Sequence, residues 1–576
     1  MGKAAAPELT TRSILTGMLI GALLTPCNVY SGLKIGWSFN MSIAAALLSY
    51  AFWRVSEDLF GSRHWGLLEN NINQTTASSA ASIISGGLVA PIPALTLLTG
   101  QELSLTALWL WVFTVSALGI AVAVLMRKPM LARRELVFPA GVATAETVRQ
   151  IYNRGREASA RVRALFGALL VAAIVRWWVA GLGAAARWSP PGTLANGITP
   201  RNLGLSLDPS LLMLGFGAII GLRAGASLLL GAVLAWGLLG PWLIARGLAQ
   251  AGAPDGVWFG SLVEWLVWPG VTLMTSASLT SFALIIVAAR RAGAGAAQEH
   301  EPALPIPVRI YVAGLVAVTL LAVLLQQQLF GIPLLAGLFA VALSFGLAIV
   351  AARVVGETGI PPIGAIGKIA QLSFGAAAPG NVTANLMGAN VTGGAAGQCA
   401  DLLNDLRAGQ LLGATPWRQI VAQCFGVLVG ALVGALSYRL LIPDPSTMLL
   451  TEQWPAPAVA TWKAVAEVLV QGLAAVPAGS VVAVLLAAAA GVALACGEVL
   501  LPRRWARWLP SGAALGLAFV IPAWISISLF LGAALAAILF GLVRTWAQRF
   551  VLVLAAGLVA GESLAGIASA ALAALY

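Results

Sequence analysis

The sequence predicts an all-α polytopic membrane protein with about 14 to 16 transmembrane helices, some of them broken or re-entrant. Two observations lead to this fold class. Hydrophobic residues make up 59% of the 576 residues and charged residues only 9%, whereas soluble domains carry about 25% charged residues. Apolar stretches of the length needed to cross a bilayer, roughly 20 residues, recur along the whole chain.

The N-terminal half, residues 1–287, begins with a short polar stretch that contains Lys3 and Arg12. No cleavage site follows the first apolar segment before the next one begins, so we interpret it as a retained helix with a cytoplasmic N-terminus. The predicted spans of this half cover residues 13–30, 41–53, 67–95, 105–126, 164–182, 211–220, 227–244 and 267–287.

Residues 288–309 are predicted to be a cytoplasmic linker, because they are polar, rich in proline and basic at both ends. The C-terminal half, residues 310–576, completes a single membrane unit. Each half carries a broken polar segment and an arginine-rich loop that ends in a Pro-x-Gly turn, which predicts two parallel repeats. The spans of the second half cover 310–325, 333–351, the broken stretch 356–416, 420–440, 469–496, 513–529, 533–543 and 550–573.

The formal charge of +12 would suggest a nucleic-acid partner in a soluble protein. Here the basic residues lie in short runs between apolar segments, which is the positive-inside pattern of membrane proteins. We therefore predict a lipid bilayer, and no nucleic acid, as the partner of these charges. The oligomeric state is left open.

Two stretches combine membrane-like composition with polar residues and helix breakers, residues 67–95 and 356–416. Irregular backbone and polar side chains at membrane depth are tolerated only where they face protein or a water-filled cavity. We therefore expect both stretches to converge on a solvated substrate pathway.

Amide side chains dominate these two stretches. Each amide offers a donor and an acceptor, so a wall of them can bind a peptide-like ligand without much net charge. Lys34 is a further candidate for binding a substrate carboxylate. The alternative is a lysine at the membrane edge whose side chain extends to the interface. The alternative for the amides is a structural role between helices. The predicted substrate-binding residues are Lys34, Asn70, Asn71, Gln74, Asn381, Asn385, Asn390 and Gln398.

Several ordered motifs resemble the oligopeptide transporter family, including its yellow-stripe-like branch. They are YSGLKIGWSFN, ENNINQTTASSAASIISGGLVAPIPAL, RRELVFPAGVATAE, NLMGANVTGGAAGQCADLLNDLRAGQLLGATPWRQIVAQ and GLVAGESLAGI. The resemblance implies a proton-coupled secondary active transporter that imports small peptides or metal chelates of amino-acid-derived ligands. The small number of lysines beside many arginines suggests a prokaryote of high GC content, and hence a bacterial inner membrane.

Proton coupling needs an acid that is reached alternately from the two sides of the membrane. Carboxyl groups within the membrane are natural carriers, because burial makes their charged form unfavourable. The alternative for the aspartates is ion pairing with Arg407 or Arg418 near the cytoplasmic end. The candidate carriers are Glu357, Asp401, Asp405 and Glu562.

Other classes of protein are weighed against transport. An intramembrane prenyl-transferring enzyme would use Asp401 and Asp405 to hold magnesium, but the other half lacks a second aspartate-rich motif. The HExxH and GxSxG motifs are absent as well, so we predict no enzyme and no cofactor. His64 and His300 are the only histidines and the four cysteines are scattered, so we predict no metal site. A passive channel remains an alternative.

Overall fold

The computed structural model describes residues 7–37, 40–132, 136–153, 155–182, 187–194, 197–291, 307–358, 362–477 and 479–575. Twelve helical segments of these residues are long and apolar enough to cross a membrane. The only β-type contact described is an isolated bridge between Trp188 and Leu207. The predicted fold class, an all-α polytopic membrane protein, is confirmed.

The described residues of the N-terminal half form ten α-helices. A 3₁₀ turn, Ser82–Gly86, follows α3, and a π-helical segment, Val233–Leu239, joins α8 to α9. The helices are α1 Thr11–Ile35, α2 Ser42–Phe60, α3 Leu67–Ala81, α4 Pro91–Thr99, α5 Leu105–Leu131, α6 Pro139–Asn153, α7 Gly155–Leu182, α8 Leu211–Ala232, α9 Gly240–Ala245 and α10 Phe259–Arg291.

Twelve further helices follow the predicted linker, whose residues lie mostly outside the described part of the chain. They are α11 Val308–Phe330, α12 Leu334–Thr358, α13 Ile363–Ala377, α14 Val382–Leu412, α15 Pro416–Leu441, α16 Pro445–Met448, α17 Pro457–Gln471, α18 Val481–Leu500, α19 Arg503–Ala506, α20 Gly512–Leu517, α21 Ala523–Leu542 and α22 Arg544–Leu575. The division into two repeated halves stays a prediction.

Two long helices, α2 and α14, are not among the twelve segments that are apolar enough to cross a membrane. The α2 helix includes Arg54, Glu57 and Asp58, and the amides and glycines of α14 lower its hydropathy. The predicted number of spans, about 14 to 16, counts both of them together with the short elements.

Several predicted boundaries differ from the structure. The predicted span 469–496 begins at the end of α17 and crosses the break before α18. The segments 211–220 and 227–244 form one candidate span, Leu211–Ala245, with a kink at Gly221, where φ is 81° and ψ is 168°. The break predicted near residue 530 lies instead at Pro522, which caps α21. Proline lacks the N–H group that a continuous helix needs, so the chain breaks there.

The α14 helix is the centre of the molecule. Every residue from Ala384 to Ala400 is buried, and α3, α5, α12, α13 and α15 all pack against it. Its glycines allow this close packing: a Cβ atom added at Gly388 would strike the Phe374 ring, and one at Gly394 would lie 2.6 Å from the carbonyl oxygen of Ser85. Small residues let helix backbones approach closely inside a membrane.

Candidate functional site

The two broken polar segments touch each other at the middle of α14. Gly87, which follows the 3₁₀ turn, lies so close to Asn390 that an added Cβ atom would be 2.6 Å from the Asn390 Oδ1 atom. The same oxygen accepts a hydrogen bond of 2.7 Å from the Trp111 indole nitrogen of α5. Asn390 is 2% exposed. The segments thus meet as the sequence predicts, with the Asn390 amide at their contact.

A helical hairpin carries the second predicted amide. The α13 and α14 helices are joined by the short turn 378–381, and Gln371 of α13 faces Asn385 of α14. The Asn385 side-chain nitrogen donates to the Gln371 backbone carbonyl oxygen at 2.7 Å, and the Gln371 side-chain nitrogen donates to Asn385 Oδ1 at 3.2 Å. These reciprocal bonds fasten the two arms of the hairpin together.

Asp405 is the best-connected acid of the site. Its carboxylate accepts hydrogen bonds from the Ser42 hydroxyl at 3.3 Å, the Gln74 amide at 3.4 Å and the Ser78 hydroxyl at 2.8 Å. The Gln419 amide donates to the Asp405 carbonyl oxygen at 2.7 Å. The Asp405 carboxylate is thus bonded by α2 and α3 and its backbone by α15, so that three helices join α14 at one residue that is 3% exposed.

The Asp405 carboxylate has only uncharged donors around it. Within the described part of the chain no lysine, arginine or histidine forms an ion pair with it. Taking an unpaired charge out of water costs several kcal/mol, and a bound proton removes that cost. The alternative role, an ion pair with Arg407 or Arg418, is not formed here, since Arg418 pairs with Glu8 at 3.3 Å and Arg407 donates to Gln410 at 2.7 Å.

Asp401 lies one helical turn before Asp405 and is partly exposed, with the Ser82 side chain beside it. Gln398, a further turn away, packs against Gly119 of α5. Gln398 is fully buried, and neither polar atom of its side chain has a hydrogen-bond partner in the described chain. Gln398, Asp401 and Asp405 therefore lie on one face of α14, as predicted. We call Asp405 and the three side chains that bond to its carboxylate, Ser42, Gln74 and Ser78, the Asp405 cluster.

Unpaired buried amides distinguish this region. Buried polar groups in folded proteins are nearly always hydrogen-bonded, so each exception calls for an explanation. Both side-chain polar atoms lack a described partner in Asn71, Gln398 and Gln423. Asn71 precedes Gln74 by three residues and Ser78 by seven, which places it on the same face of α3. Asn70 differs, because its amide donates to the Ala46 carbonyl oxygen of α2 at 3.3 Å.

The expected solvated chamber is not present around these side chains. Asn70, Asn71, Gln74 and Gln398 are fully shielded from solvent, and Asn385 is 1% exposed. The glycine-rich helices pack closely around them, so that Asn385 bonds to Gln371 while Asn71 and Gln398 are shielded without a described partner. A cavity of about 400 Å³ lies elsewhere among the described residues, and it includes no predicted site residue; it is lined by Tyr50, Arg54, Glu57, His64, Trp65, Tyr152 and Ser159.

Two predicted residues, Lys34 and Glu562, belong to a second group of charges. The Lys34 ammonium group donates to the Gln453 carbonyl oxygen and lies 4.7 Å from the Trp454 ring centre. Glu562 accepts bonds of 2.8 Å from the Ser210 hydroxyl and from the Leu212 backbone N–H, so it caps α8. These contacts are separate from the bonds around Asp405.

Two other predicted residues lie at exposed positions. Asn381 is the N-cap of α14 and accepts a bond of 2.9 Å from the Ala384 N–H. Glu357 forms an ion pair of 3.1 Å with Arg353 of the same helix. Their predicted roles in binding and coupling stay predictions, with these structural partners as the simpler explanation.

Three residues near Asn385 were not predicted from the sequence: Lys368 and Gln371 of α13, and Trp462 of α17. Lys368 is 3% exposed and donates to Gln371 Oε1 at 3.2 Å. The available signal was that Lys368 is the only charged residue between positions 358 and 400. Trp462 had no such signal, because it comes from α17, far along the chain.

Comparison with known proteins gives a family match over nearly the whole chain. The family model described as OPT oligopeptide transporter protein matches residues 8–573. A Saccharomyces cerevisiae protein provisionally named an oligopeptide transporter is 23% identical over 589 residues, which cover 80% of this chain and 81% of the relative.

Two further relatives come from a plant and a bacterium. The metal-nicotianamine transporter YSL2 of Arabidopsis thaliana is 24% identical over 97% of this chain and 92% of its own length. A Haemophilus influenzae protein, also provisionally named an oligopeptide transporter, is 27% identical over 70% of this chain and 68% of its own length. These names describe transporters, and none of them describes an enzyme.

Proposed function

The chain belongs to the oligopeptide transporter family, and we propose that it is a proton-coupled symporter for small oligopeptides or amino-acid-derived metal chelates. The names of the relatives support both kinds of substrate. Both kinds carry carboxylates and polar groups that must be desolvated, so both need a pathway lined with hydrogen-bonding partners. We further propose a bacterial inner membrane and a cytoplasmic N-terminus, as the arginine-rich segments suggest.

The Asp405 cluster is the observation that carries proton coupling. Its carboxyl group is 3% exposed, accepts three bonds from neutral donors and has no ion-pair partner among the described residues. Protonation removes its charge without breaking up a salt bridge. In this proposal Asp405 binds a proton in the closed arrangement and releases it when the helices separate, while Asp401, partly exposed one turn away, connects it to solvent.

Alternating access would act on the contact between the two broken segments. Gly87 of the first segment packs closely against Asn390 of the second, and the Asn390 side-chain oxygen accepts its hydrogen bond from Trp111 of α5. Because the amides are buried from solvent, we assign this structure to a state of the transport cycle in which the site is closed. Opening would separate Asn390 from Gly87 and bring the unpaired Gln398 and Asn71 amides into contact with substrate.

Counterflow in proteoliposomes tests the proposed function. Purified protein is reconstituted, and uptake of labelled tri-alanine and of an iron chelate of an amino-acid-derived ligand is measured with and without an inward-directed proton gradient. A symporter accumulates one of the two substrates only with the gradient and exchanges it without the gradient. Equal flux under both conditions would identify a passive channel instead, and no flux of either substrate would contradict the proposal.

Leucine at Asn385 or at Gln398 is expected to abolish uptake while the protein is still produced and folded. Leucine is close in size to both residues but can neither donate nor accept a hydrogen bond. At Asn385 it removes both hydrogen bonds to Gln371, each of which contributes about 0.5–1.5 kcal/mol. Uptake and monodispersity in detergent are measured together. The same change at Gln327, an exposed amide of α11, is the control; normal uptake by both variants would count against these site residues.

A further inference from the structure

Lys368 is a buried cation for which the described chain supplies no acidic partner. Its side chain lies in α13 at 3% exposure, and its ammonium group donates to Gln371 Oε1 at 3.2 Å. Its other close neighbour is the Trp462 ring, with the ring centre 4.7 Å away. Lys368 forms no ion pair with any described aspartate or glutamate, in contrast to Lys463, which pairs with Glu467 at 2.7 Å.

The neutral contacts of Lys368 offset only part of the cost of its burial. An ammonium group has three donors, and one of them is used here. A ring face attracts a cation, but it does not replace a counter-charge. Buried charges in proteins are normally paired with an opposite charge, and an unpaired one is strongly unfavourable. An anionic ligand would therefore be stabilised next to the Lys368 ammonium group.

The surroundings of Lys368 suit a carboxylate. Gln371 bonds both to Lys368 and, across the hairpin, to Asn385, so the two amides are linked to the cation and already oriented by their reciprocal bonds. Gln371 also donates to the Trp462 carbonyl oxygen at 3.1 Å, so the amides, the cation and the α17 helix form one connected group. An ammonium group beside amide donors can hold a carboxylate through charge-assisted hydrogen bonds.

Trp462 covers this group. Its ring packs on Gly367, where an added Cβ atom would lie 2.5 Å from the ring, and it also faces the Lys368 ammonium group. Trp462 is 7% exposed and belongs to α17, a helix of 15 residues that begins at Pro457. Movement of α17 would uncover the cation without separating α13 from α14.

We propose that Lys368 binds the carboxylate of the substrate, with Gln371 and Asn385 as its amide partners and Trp462 as its cover. The proposal deepens the proposed function and rests on it for the statement that the bound molecule is transported. It assigns a role to the one charged residue of α13. It predicts that a peptide with a free C-terminal carboxylate binds better than the same peptide with an amide. An amino-acid-derived chelator would present its carboxylate to the same group.

The experiment measures binding, so it does not depend on a proton gradient. Thermal unfolding of the purified full-length protein is followed with tri-alanine, its C-terminal amide and iminodiacetate as probes, since a bound ligand stabilises the folded state. For the wild type, the free acid is expected to bind at least about tenfold more tightly than the amide. Iminodiacetate reports whether a chelator-type carboxylate uses the same cation.

The variants Lys368→Gln, Lys368→Arg and Lys463→Gln identify the residue. Lys368→Gln is expected to bind acid and amide equally, Lys368→Arg to keep part of the preference, and Lys463→Gln to behave as the wild type. A preference that survives in Lys368→Gln, or a wild type that binds no carboxylate probe or binds both peptides equally, would overturn the proposal. Binding without gradient-driven uptake would overturn the proposed function alone.

Discussion

Uptake driven by a pH gradient is expected to fall to background when Asp405 is replaced by asparagine, while exchange of substrate at equal pH continues. Asparagine has the size of aspartate, and its amide oxygen still accepts from Ser42 or Ser78, so the junction of four helices is retained. The amide can neither bind nor release a proton, so net movement loses its coupling to the gradient. Accumulation and counterflow are measured in the same proteoliposomes.

An exposed aspartate provides the control for this change. The Asp58 side chain is 60% exposed and pairs with Arg54 on the surface of α2, and Asp58→Asn is expected to accumulate substrate as the wild type does. Asp401→Asn is expected to slow accumulation less than Asp405→Asn, because Asp401 is partly exposed and lies outside the group of three donors. Gradient-driven accumulation by Asp405→Asn at the wild-type level would rule out Asp405 as the coupling residue.

The broken segments were predictable because helix breakers and polar residues were concentrated in them. Pro91 and Pro93 after Gly86 and Gly87 predict that the first segment cannot run as one helix, and the structure has a 3₁₀ turn and a new helix there. Local chemistry decides such breaks, so sequence is sufficient to find them. The spacing of four between Asp401 and Asp405 likewise fixed their common face.

The partners of Asp405 were only partly predictable. The row of Gln74 and Ser78 follows from helical spacing, and both side chains do reach the carboxylate. Ser42 and Gln419 carry no such signal, because their approach depends on how α2 and α15 pack against α14. The same holds for Lys368, whose neighbour Trp462 is brought in by the fold of α17 rather than by any repeat in the sequence.

The solvated chamber was the main expectation that failed, and the reason is physical. Polar residues at membrane depth indicate either water or partners within the protein, and sequence alone does not decide between them. Here Asn385 and Gln371 satisfy each other, and Asn390 is satisfied by Trp111. Glycine at the helix contacts brings these partners within bonding distance, so the amides are shielded in the described arrangement.

Alanine at Gly394 is expected to destabilise the folded protein by about 1–3 kcal/mol, the usual cost of an overfilled core position. The added methyl group would lie 2.5 Å from Val115 Cγ1 and 2.6 Å from the Ser85 carbonyl oxygen. The Ser85 contact is with backbone, so it cannot be relieved by a change of rotamer. Thermal unfolding in detergent measures the loss.

Gly346 of α12 provides the opposite expectation. It lies inside a helix with no atom within 4 Å of an added Cβ, so Gly346→Ala should stabilise the protein by about 0.5–1 kcal/mol through its lower backbone entropy. Alanine favours a helix at both positions, so a loss of stability at Gly394 together with a gain at Gly346 would show that close helix packing causes the loss.

Because Ser85 belongs to the first broken segment and Gly394 to the second, Gly394→Ala is also expected to separate the two segments and abolish uptake. A Gly394→Ala protein as stable and active as Gly346→Ala would mean that the segments do not depend on this contact.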